Sequence, residues 1–253
     1  MLVLRYRKEG VDWAQGVPCV RVSRVRRPDN NPPETTIIEH SANNQAIQLQ
    51  VDGLCFAYPQ QQVLLREFSA CITPGLTLVR GGDGSGKTTL LRLMAGDLPA
   101  QAGQLRLGGV SLQSDAHAYQ RQIFWVDPKT TALDDASAQD YFKSLSGPYP
   151  MFDGSLVLEL SETLSLTPHL HKPLYMLSTG SKRKVWLAAA FASGAALTLL
   201  DAPFSGLDLA SVRQVMALLE EAAAHPTRAW VLADHQAPGN LMLTQVIELG
   251  GAD

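Results

Sequence analysis

The chain has 253 residues, of which 45% are apolar, enough for one large domain or two small ones with a sizeable core. Its formal net charge of −3 gives no overall attraction to nucleic acid. The cysteines, Cys19, Cys55 and Cys71, have no CxxC spacing and indicate free thiols rather than a metal site or a disulfide framework. No secretory signal opens the chain, and its longest uncharged apolar-rich run, residues 185–200, is shorter than the ~20 residues of a spanning helix. We therefore expect a soluble chain, unless a partner holds it at a membrane.

The first 45 residues differ from the rest. They carry seven Lys and Arg against five Asp and Glu, and they include the Pro- and Asn-rich stretch "RRPDNNPPETT". Such a segment has little apolar surface to bury. We expect an irregular N-terminal extension over residues 1–45, with a partner-binding arm as the alternative.

From Ile47 onward, strand patterns alternate with helical patterns. Short apolar strands are predicted at "IQLQV", "LTLV", "QLRL", "IFWV", "LTLLD", "RAWVLAD" and "TQVIELG". Helical patterns follow several of these strands, and from about Asp134 to Leu174 the pattern predicts helices. This alternation predicts an α/β fold with a parallel, doubly wound sheet.

A phosphate loop is predicted at "GGDGSGKT", residues 81–88, because it fits G-x-x-x-x-G-K-[ST] between a predicted strand and a predicted helix. Its glycines let the backbone wrap so that N–H groups point at phosphate oxygens. Lys87 can reach the β and γ phosphates, and the Thr88 hydroxyl can bind Mg²⁺. The candidate nucleotide-binding residues here are Gly81, Gly82, Asp83, Gly84, Ser85, Gly86, Lys87, Thr88 and Thr89.

Further motifs follow the phosphate loop in a fixed order. These are "LSTGSKRK" at residues 177–184, "LTLLD" ending at Asp201, "SGLD" at residues 205–208 and "VLADH" ending at His235. The order resembles the nucleotide-binding subunit of ATP-binding cassette (ABC) proteins over about residues 47–251. The resemblance implies a P-loop NTPase fold, with a RecA-like core, an antiparallel β subdomain and a small helical subdomain at about residues 130–185, all within an ABC domain spanning residues 46–253.

The resemblance also implies residue roles, with ATP and Mg²⁺ as cofactors. Tyr58 resembles the aromatic residue that stacks on adenine; a core or turn tyrosine is the alternative. Ser178 and Gly180 resemble the signature residues that close on ATP held by the opposite subunit, and Ser178 also suits a plain helix N-cap. Asp201 resembles the aspartate that holds Mg²⁺, and His235 the switch histidine that contacts the γ-phosphate.

Three positions depart from the family pattern. Ala202 stands where the family has the glutamate that polarises the attacking water, and a positioned base typically contributes ~10²–10⁴-fold. Where the family has the glutamine that binds Mg²⁺, the sequence runs "VDPKT"; Asp127 is the nearest candidate metal ligand, and Pro128 fills the glutamine position. Asp83 replaces a common asparagine. These combined departures favour natural degeneracy over an engineered Glu→Ala change, and Asp234 is a candidate substitute base.

The leading hypothesis is therefore an ATP-binding subunit of an ABC transporter with weak hydrolysis, similar to small exporter-type subunits. The expected partners are a second ABC subunit, with a homodimer preferred over a heterodimer, and an integral membrane permease at the cytoplasmic face of the cell membrane. No nucleic acid is expected. A non-transport ABC protein acting on nucleic acid or ribosomes, and a regulatory ATP-binding protein without turnover, are the alternatives.

Overall fold

The computed structural model describes residues 2–5, 49–236, 239 and 241–250. Its strands, in chain order, are β1 (Leu2–Arg5), β2 (Leu49–Ala57), β3 (Val63–Ile72), β4 (Gly75–Arg80), β5 (Ala102–Leu107), β6 (Val110–Ser111), β7 (Ile123–Trp125), β8 (Leu197–Asp201), β9 (Ala229–Asp234) and β10 (Gln245–Glu248). Its helices are α1 (Lys87–Ala95), α2 (Ala116–Gln120), α3 (Ala138–Ser144), α4 (Gly154–Thr163), α5 (Thr179–Ala192) and α6 (Leu209–Ala223), with 3₁₀ turns at Thr167–His169 and Leu174–Met176.

Two sheets organise the described part of the chain. Strands β1, β10, β4, β9, β8 and β7 lie side by side in that order, and each neighbouring pair is parallel. Strands β3, β2, β5 and β6 form a separate antiparallel sheet in that order. The prediction of an α/β fold with a parallel core sheet and an antiparallel β subdomain is confirmed.

Both faces of the parallel sheet are covered. In β8 and β9 every residue except the last is buried, the pattern of parallel strands packed on both faces. One face packs against α5, α6 and the helical region, and the other against α1 and the antiparallel sheet. Along β4, Leu76 and Leu78 enter the first core while Val79 enters the second, because successive side chains of a strand point to opposite faces.

Two helices, α3 and α4, and two 3₁₀ turns lie between β7 and α5, where the sequence predicts helical patterns. The Ser137 side chain accepts a hydrogen bond from Asp140 N–H and so caps α3, and Asp153 caps α4 in the same way. Tyr141 of α3 packs edge-on against Trp186 of α5, with ring centroids 5.0 Å apart. This packing supports a helical subdomain, whose limits at about residues 130–185 remain a prediction.

The expectation of an irregular extension over residues 1–45 is wrong at Leu2–Arg5. These residues pair in parallel with β10 and extend the sheet at its edge. Four residues are too few for alternation to reveal a strand, and an edge strand can be held by backbone hydrogen bonds to a single neighbour. The rest of the expected extension, residues 6–45, lies outside the described residues.

Candidate nucleotide-binding site

Most of the predicted site residues gather at the carboxyl edge of the parallel sheet. The phosphate loop follows β4, His235 follows β9, Ala202 follows β8, and Asp127 lies two residues beyond β7. These four strands are consecutive neighbours in the sheet and point the same way. Ligands of open α/β sheets bind in the crevice at this edge. The fold thus brings together residues from four separate segments.

The phosphate loop wraps around the ammonium of Lys87. Its Nζ donates to the main-chain oxygens of Gly81 and Gly82, both at 2.8 Å. An ammonium has three donors, so this arrangement leaves one for a phosphate oxygen. Gly86 precedes α1 with a φ of 97°, a left-handed conformation that favours glycine. The loop therefore turns sharply enough to present the amino-terminal end of α1 to an anion.

The other loop residues differ in exposure. Gly82, Asp83 and Gly84 are exposed at the tip of the loop. Ser85 is turned inward: its N–H donates to Gly82 O at 3.3 Å, and its Oγ is buried without a hydrogen-bond partner in the described part of the chain. Thr89 is buried in α1. A direct contact between the tip residues and phosphate remains a prediction.

Thr88 and Asp201, two of the predicted Mg²⁺ ligands, lie in contact. Thr88 Oγ1 donates to Asp201 Oδ2 at 2.6 Å. Both are hard oxygen donors, and Mg²⁺ is usually bound through one or two carboxylates plus substrate phosphates and water rather than by an all-protein cage. No group of three or more His, Cys, Asp or Glu side chains suited to a metal occurs among the described residues. The residues present therefore fit a nucleotide-bound Mg²⁺ ion.

Ala202 occupies a sharp turn directly after Asp201. Its φ is 45°, in the left-handed region that non-glycine residues rarely adopt. Its N–H still donates to Ala233 O of β9 at 2.8 Å, and its carbonyl accepts from Ser205 N–H at 3.0 Å. The chain thus leaves the sheet at this residue. Such backbone strain is common at functional sites and costs about 1–3 kcal/mol.

His235 contacts Asp83, an acidic residue of the phosphate loop. Its Nε2 lies 3.1 Å from Oδ1 of Asp83, whose side chain is 98% exposed. The neighbouring Asp234 accepts a hydrogen bond from the His235 N–H at 2.7 Å, so one of its carboxylate oxygens is engaged in the local backbone. The contact between His235 and Asp83 brings the "VLADH" motif and the phosphate loop together. A contact of His235 with phosphate and a role of Asp234 as a base remain predictions.

The signature segment begins α5. The Ser178 side chain accepts a hydrogen bond from Ser181 N–H at 3.1 Å, so the N-cap interpretation of Ser178 fits the geometry. Gly180 packs against Gly206 of the "SGLD" segment: a Cβ at position 180 would lie 2.4 Å from Gly206 O. The N-cap contact leaves the Ser178 oxygen with further acceptor capacity.

The "SGLD" segment ends by capping the next helix. Asp208 is the N-cap of α6 and accepts hydrogen bonds from the N–H and hydroxyl of Ser211, at 2.9 and 3.0 Å. Lys184 of α5 lies 3.4 Å from the same carboxylate. These hydrogen bonds, assisted by Lys184, lower the pKa of Asp208 from 3.8 to about 2. Asp208 is therefore ionised at physiological pH.

Tyr58 and Asp127 have local partners in the structure. The Tyr58 hydroxyl is within hydrogen-bonding distance of Thr89 Oγ1, at 3.1 Å, and its ring packs edge-on against Phe56. Asp127 accepts a hydrogen bond from Lys129 N–H at 2.8 Å, which stabilises the turn after β7. Both sit beside the site. Adenine stacking by Tyr58 and metal binding by Asp127 remain predictions.

Sequence reasoning overlooked Arg183 and Gly206. Arg183 Nη1 donates to the main-chain oxygen of Asp201 at 2.7 Å. Nothing in the "LSTGSKRK" motif singled out this residue as one that contacts the site. Gly206 stood in the quoted "SGLD" motif, but only the fold shows that Gly180 packs on it. Each of the two motifs contains a glycine, and glycine is favoured where two backbones approach closely. This pair of glycines was the sequence signal that could have predicted the contact.

A comparison with protein families matches residues 65–205 to the ABC transporter family. The chain belongs to that family. The match contains the phosphate loop, the signature segment and Asp201 with Ala202. Within the family, this ABC chain corresponds to the ATP-binding subunit, as its relatives do.

Relatives of this ABC chain are similar over most of its length. The manganese transport system ATP-binding protein MntA of Synechocystis sp. is 29% identical, over 72% of this chain and 73% of that protein. The cytochrome c biogenesis ATP-binding export protein CcmA of Sphingopyxis alaskensis is 31% identical, over 76% of this chain and 91% of that protein. A solved ATP-binding subunit of an ABC transporter has a TM-score of 0.66 at 21% identity, covering 74% of this chain and 79% of that one. At that identity the last likeness shows the shared fold.

Among the described residues, no helix is both long and apolar enough to cross a membrane.

Proposed function

We propose that this ABC chain binds Mg²⁺-ATP at the carboxyl edge of its parallel sheet and hydrolyses it only slowly. The observation that carries the proposal is the 2.6 Å contact between Thr88 Oγ1 and Asp201 Oδ2. It joins the end of the phosphate loop to the end of β8, so that the ammonium of Lys87 and the two oxygen ligands serve one bound triphosphate.

Thr88 and Asp201 are the residues that would hold Mg²⁺, and the ion would offset negative charge on the phosphate oxygens. The other contributions come from the chain itself. Lys87 supplies an ammonium donor, and the amino-terminal end of α1 supplies N–H groups and the positive end of the helix dipole. Together these groups favour binding of a polyphosphate.

Slow hydrolysis follows from the side chain at position 202. Attack of water on the γ-phosphorus breaks the bond to ADP and needs a group that orients the water and takes up its proton. The methyl group of Ala202 can do neither. Asp234 has one carboxylate oxygen engaged by the His235 N–H, which makes it a weak substitute. We therefore expect ATP to act mainly as a clamp.

The clamp is proposed to close two ABC subunits on each other. In this arrangement each ATP lies between the phosphate loop of one subunit and Ser178 and Gly180 of the other, at the amino-terminal end of α5. A homodimer is preferred over a heterodimer. The dimer would act with an integral membrane permease at the cytoplasmic face of the cell membrane. The relatives are named for different transported materials, manganese and a cytochrome c biogenesis export, so no cargo is assigned.

The proposal can be tested on the full chain by measuring ATP binding and ATP hydrolysis together. A fluorescent ATP analogue is titrated with and without Mg²⁺, phosphate release is measured, and sedimentation velocity follows dimer formation with Mg²⁺-ATP. The control is Lys87→Ala, which removes the ammonium and leaves the rest of the loop. We expect saturable Mg²⁺-dependent binding that Lys87→Ala weakens, ATP-dependent dimers, and turnover below the ordinary enzyme range of ~1–10³ s⁻¹. Absent binding, or fast turnover by the pure chain, would contradict the proposal.

A further inference from the structure

Arg183 reaches from the signature helix to the last residue of β8. It lies five positions after Ser178 on α5, and its Nη1 donates to the main-chain oxygen of Asp201 at 2.7 Å. On the other side of the same residue, the Asp201 carboxylate accepts from Thr88 Oγ1 at 2.6 Å. Asp201 is thus held at two separate points, one from the phosphate loop and one from the signature helix.

The ladder between β7 and β8 explains why this carbonyl needs a side-chain donor. Leu197 N–H donates to Gln122 O, which fixes the parallel register. The paired register ends at Trp125 and Leu199, because β7 stops at Trp125 while β8 continues to Asp201. The Asp201 carbonyl therefore lies beyond the last ladder partner on β7. Pro128, Arg183 and Asp201 line one small cavity, so the guanidinium supplies the donor that the strand cannot.

The surroundings of Arg183 indicate a specific role. Its side chain is partly buried, and it lines the small cavity beside Asp201. No carboxylate within the described residues forms an ion pair with it at 4.0 Å or less. A partly buried guanidinium that forms no ion pair loses hydration and needs its hydrogen-bond partners, and the main-chain oxygen of Asp201 is such a partner.

We propose that Arg183 is a positioning residue: it supplies a hydrogen bond beyond the end of β7, fixes the peptide that carries Asp201, and so sets the carboxylate for Mg²⁺-ATP. Because Arg183 and Ser178 share one helix, the same bond connects the signature segment to the metal site of the same chain. The inference rests on the proposed function, since it concerns how Asp201 serves Mg²⁺-ATP.

The chain offers a matched control in Arg228. Arg228 is also partly buried, and its Nε donates to a main-chain oxygen, that of Ala195, at 3.0 Å. It precedes β9 and therefore lies at the amino edge of the sheet, opposite the site. Replacing Arg228 removes a comparable hydrogen bond without touching Asp201.

The test uses the full chain and measures the Mg²⁺ concentration that half-saturates the Mg²⁺-dependent binding of a fluorescent ATP analogue. Arg183→Met is expected to raise that concentration about 10-fold, as removal of an outer partner of a metal ligand typically does. Binding in EDTA should be unchanged because the phosphate loop is intact. Arg183→Lys should give a smaller shift, and Arg228→Met should leave the Mg²⁺ dependence unchanged.

Unchanged Mg²⁺ dependence in both Arg183 variants, or an equal shift in Arg228→Met, would overturn the inference while leaving the proposed function standing. If Arg183→Met does not fold, Arg183→Lys compared with Arg228→Met decides the question. Wild-type protein that fails to bind the analogue would contradict the proposed function itself.

Discussion

Gly180 and Gly206 touch through their backbones, and a methyl group added at position 180 would lie 2.4 Å from Gly206 O. Gly180 lies in the first turn of α5, and Gly206 lies in the "SGLD" segment. The contact therefore connects two segments that both belong to the proposed dimer face. The close approach involves backbone rather than a flexible side chain, so the loops cannot yield to a side chain without moving.

Gly180→Ala is therefore expected to shift one of these two loops and to abolish ATP-dependent dimerisation. A Cβ within 3.0 Å of a main-chain oxygen forces a rearrangement, and overpacking of this kind costs about 1–3 kcal/mol. Sedimentation velocity with Mg²⁺-ATP measures the dimer, and thermal unfolding measures the stability. Gly154→Ala is the control, because an added Cβ there meets nothing within 4 Å. Normal dimers in Gly180→Ala would show that the loop spacing does not matter.

Ala202→Glu is expected to raise ATP hydrolysis by about 10²–10⁴-fold, the usual contribution of a positioned base. The substitution should not cost much stability, because alanine already adopts the φ of 45° that glutamate would need. Steady-state phosphate release measures the effect. Ala202→Gln is the matched control, since it has nearly the same shape and cannot accept the proton. If Gln activates as well as Glu, or if neither does, the missing carboxylate is not what limits turnover.

Much of this site could be predicted from local sequence. The phosphate loop, Asp201 and His235 lie at the ends of strands with clear apolar patterns, and the parallel order places those ends together. Arg183 could not be found in this way, because its partner is a main-chain oxygen whose need for a donor depends on where β7 ends beside β8. The edge strand Leu2–Arg5 escaped notice for a similar reason, since a short strand is defined by its neighbour more than by its own residues.

Tyr58 can be tested for adenine stacking by separating its ring from its hydroxyl. Tyr58→Phe removes the 3.1 Å contact with Thr89 and keeps the ring, so nucleotide affinity should stay within about twofold. Tyr58→Ala removes the ring. The loss of a base–aromatic stack, worth about 1–3 kcal/mol, predicts that nucleotide affinity falls roughly 10-fold or more below that of the wild type. Titration of a fluorescent ATP analogue measures both. If Tyr58→Phe loses as much affinity as Tyr58→Ala, the hydrogen bond to Thr89 is the important contact and stacking is not.

Asp208 gives a prediction about acid stability. Hydrogen bonds from Ser211, with help from Lys184, hold its pKa at about 2 in the folded chain, against an ordinary value of 3.8. A carboxyl group whose pKa is lowered on folding stabilises the folded state at pH values above its ordinary pKa. That contribution shrinks as the pH falls below about 4 and is lost below about 2.

The measurement for Asp208 is the thermal unfolding midpoint of three proteins between pH 7 and pH 3. Asp208→Asn keeps a good N-cap without the charge, whereas Asp208→Ala removes the cap. At pH 7 we expect the order wild type, then Asn, then Ala, because the carboxylate adds a charge-assisted interaction to the cap. The gap between wild type and Asn should narrow from pH 4 to pH 3, while the gap between Asn and Ala should persist. A wild-type advantage over Asn that does not change with pH would mean that the Asp208 charge adds nothing, and that α6 is held only by the shape of its cap.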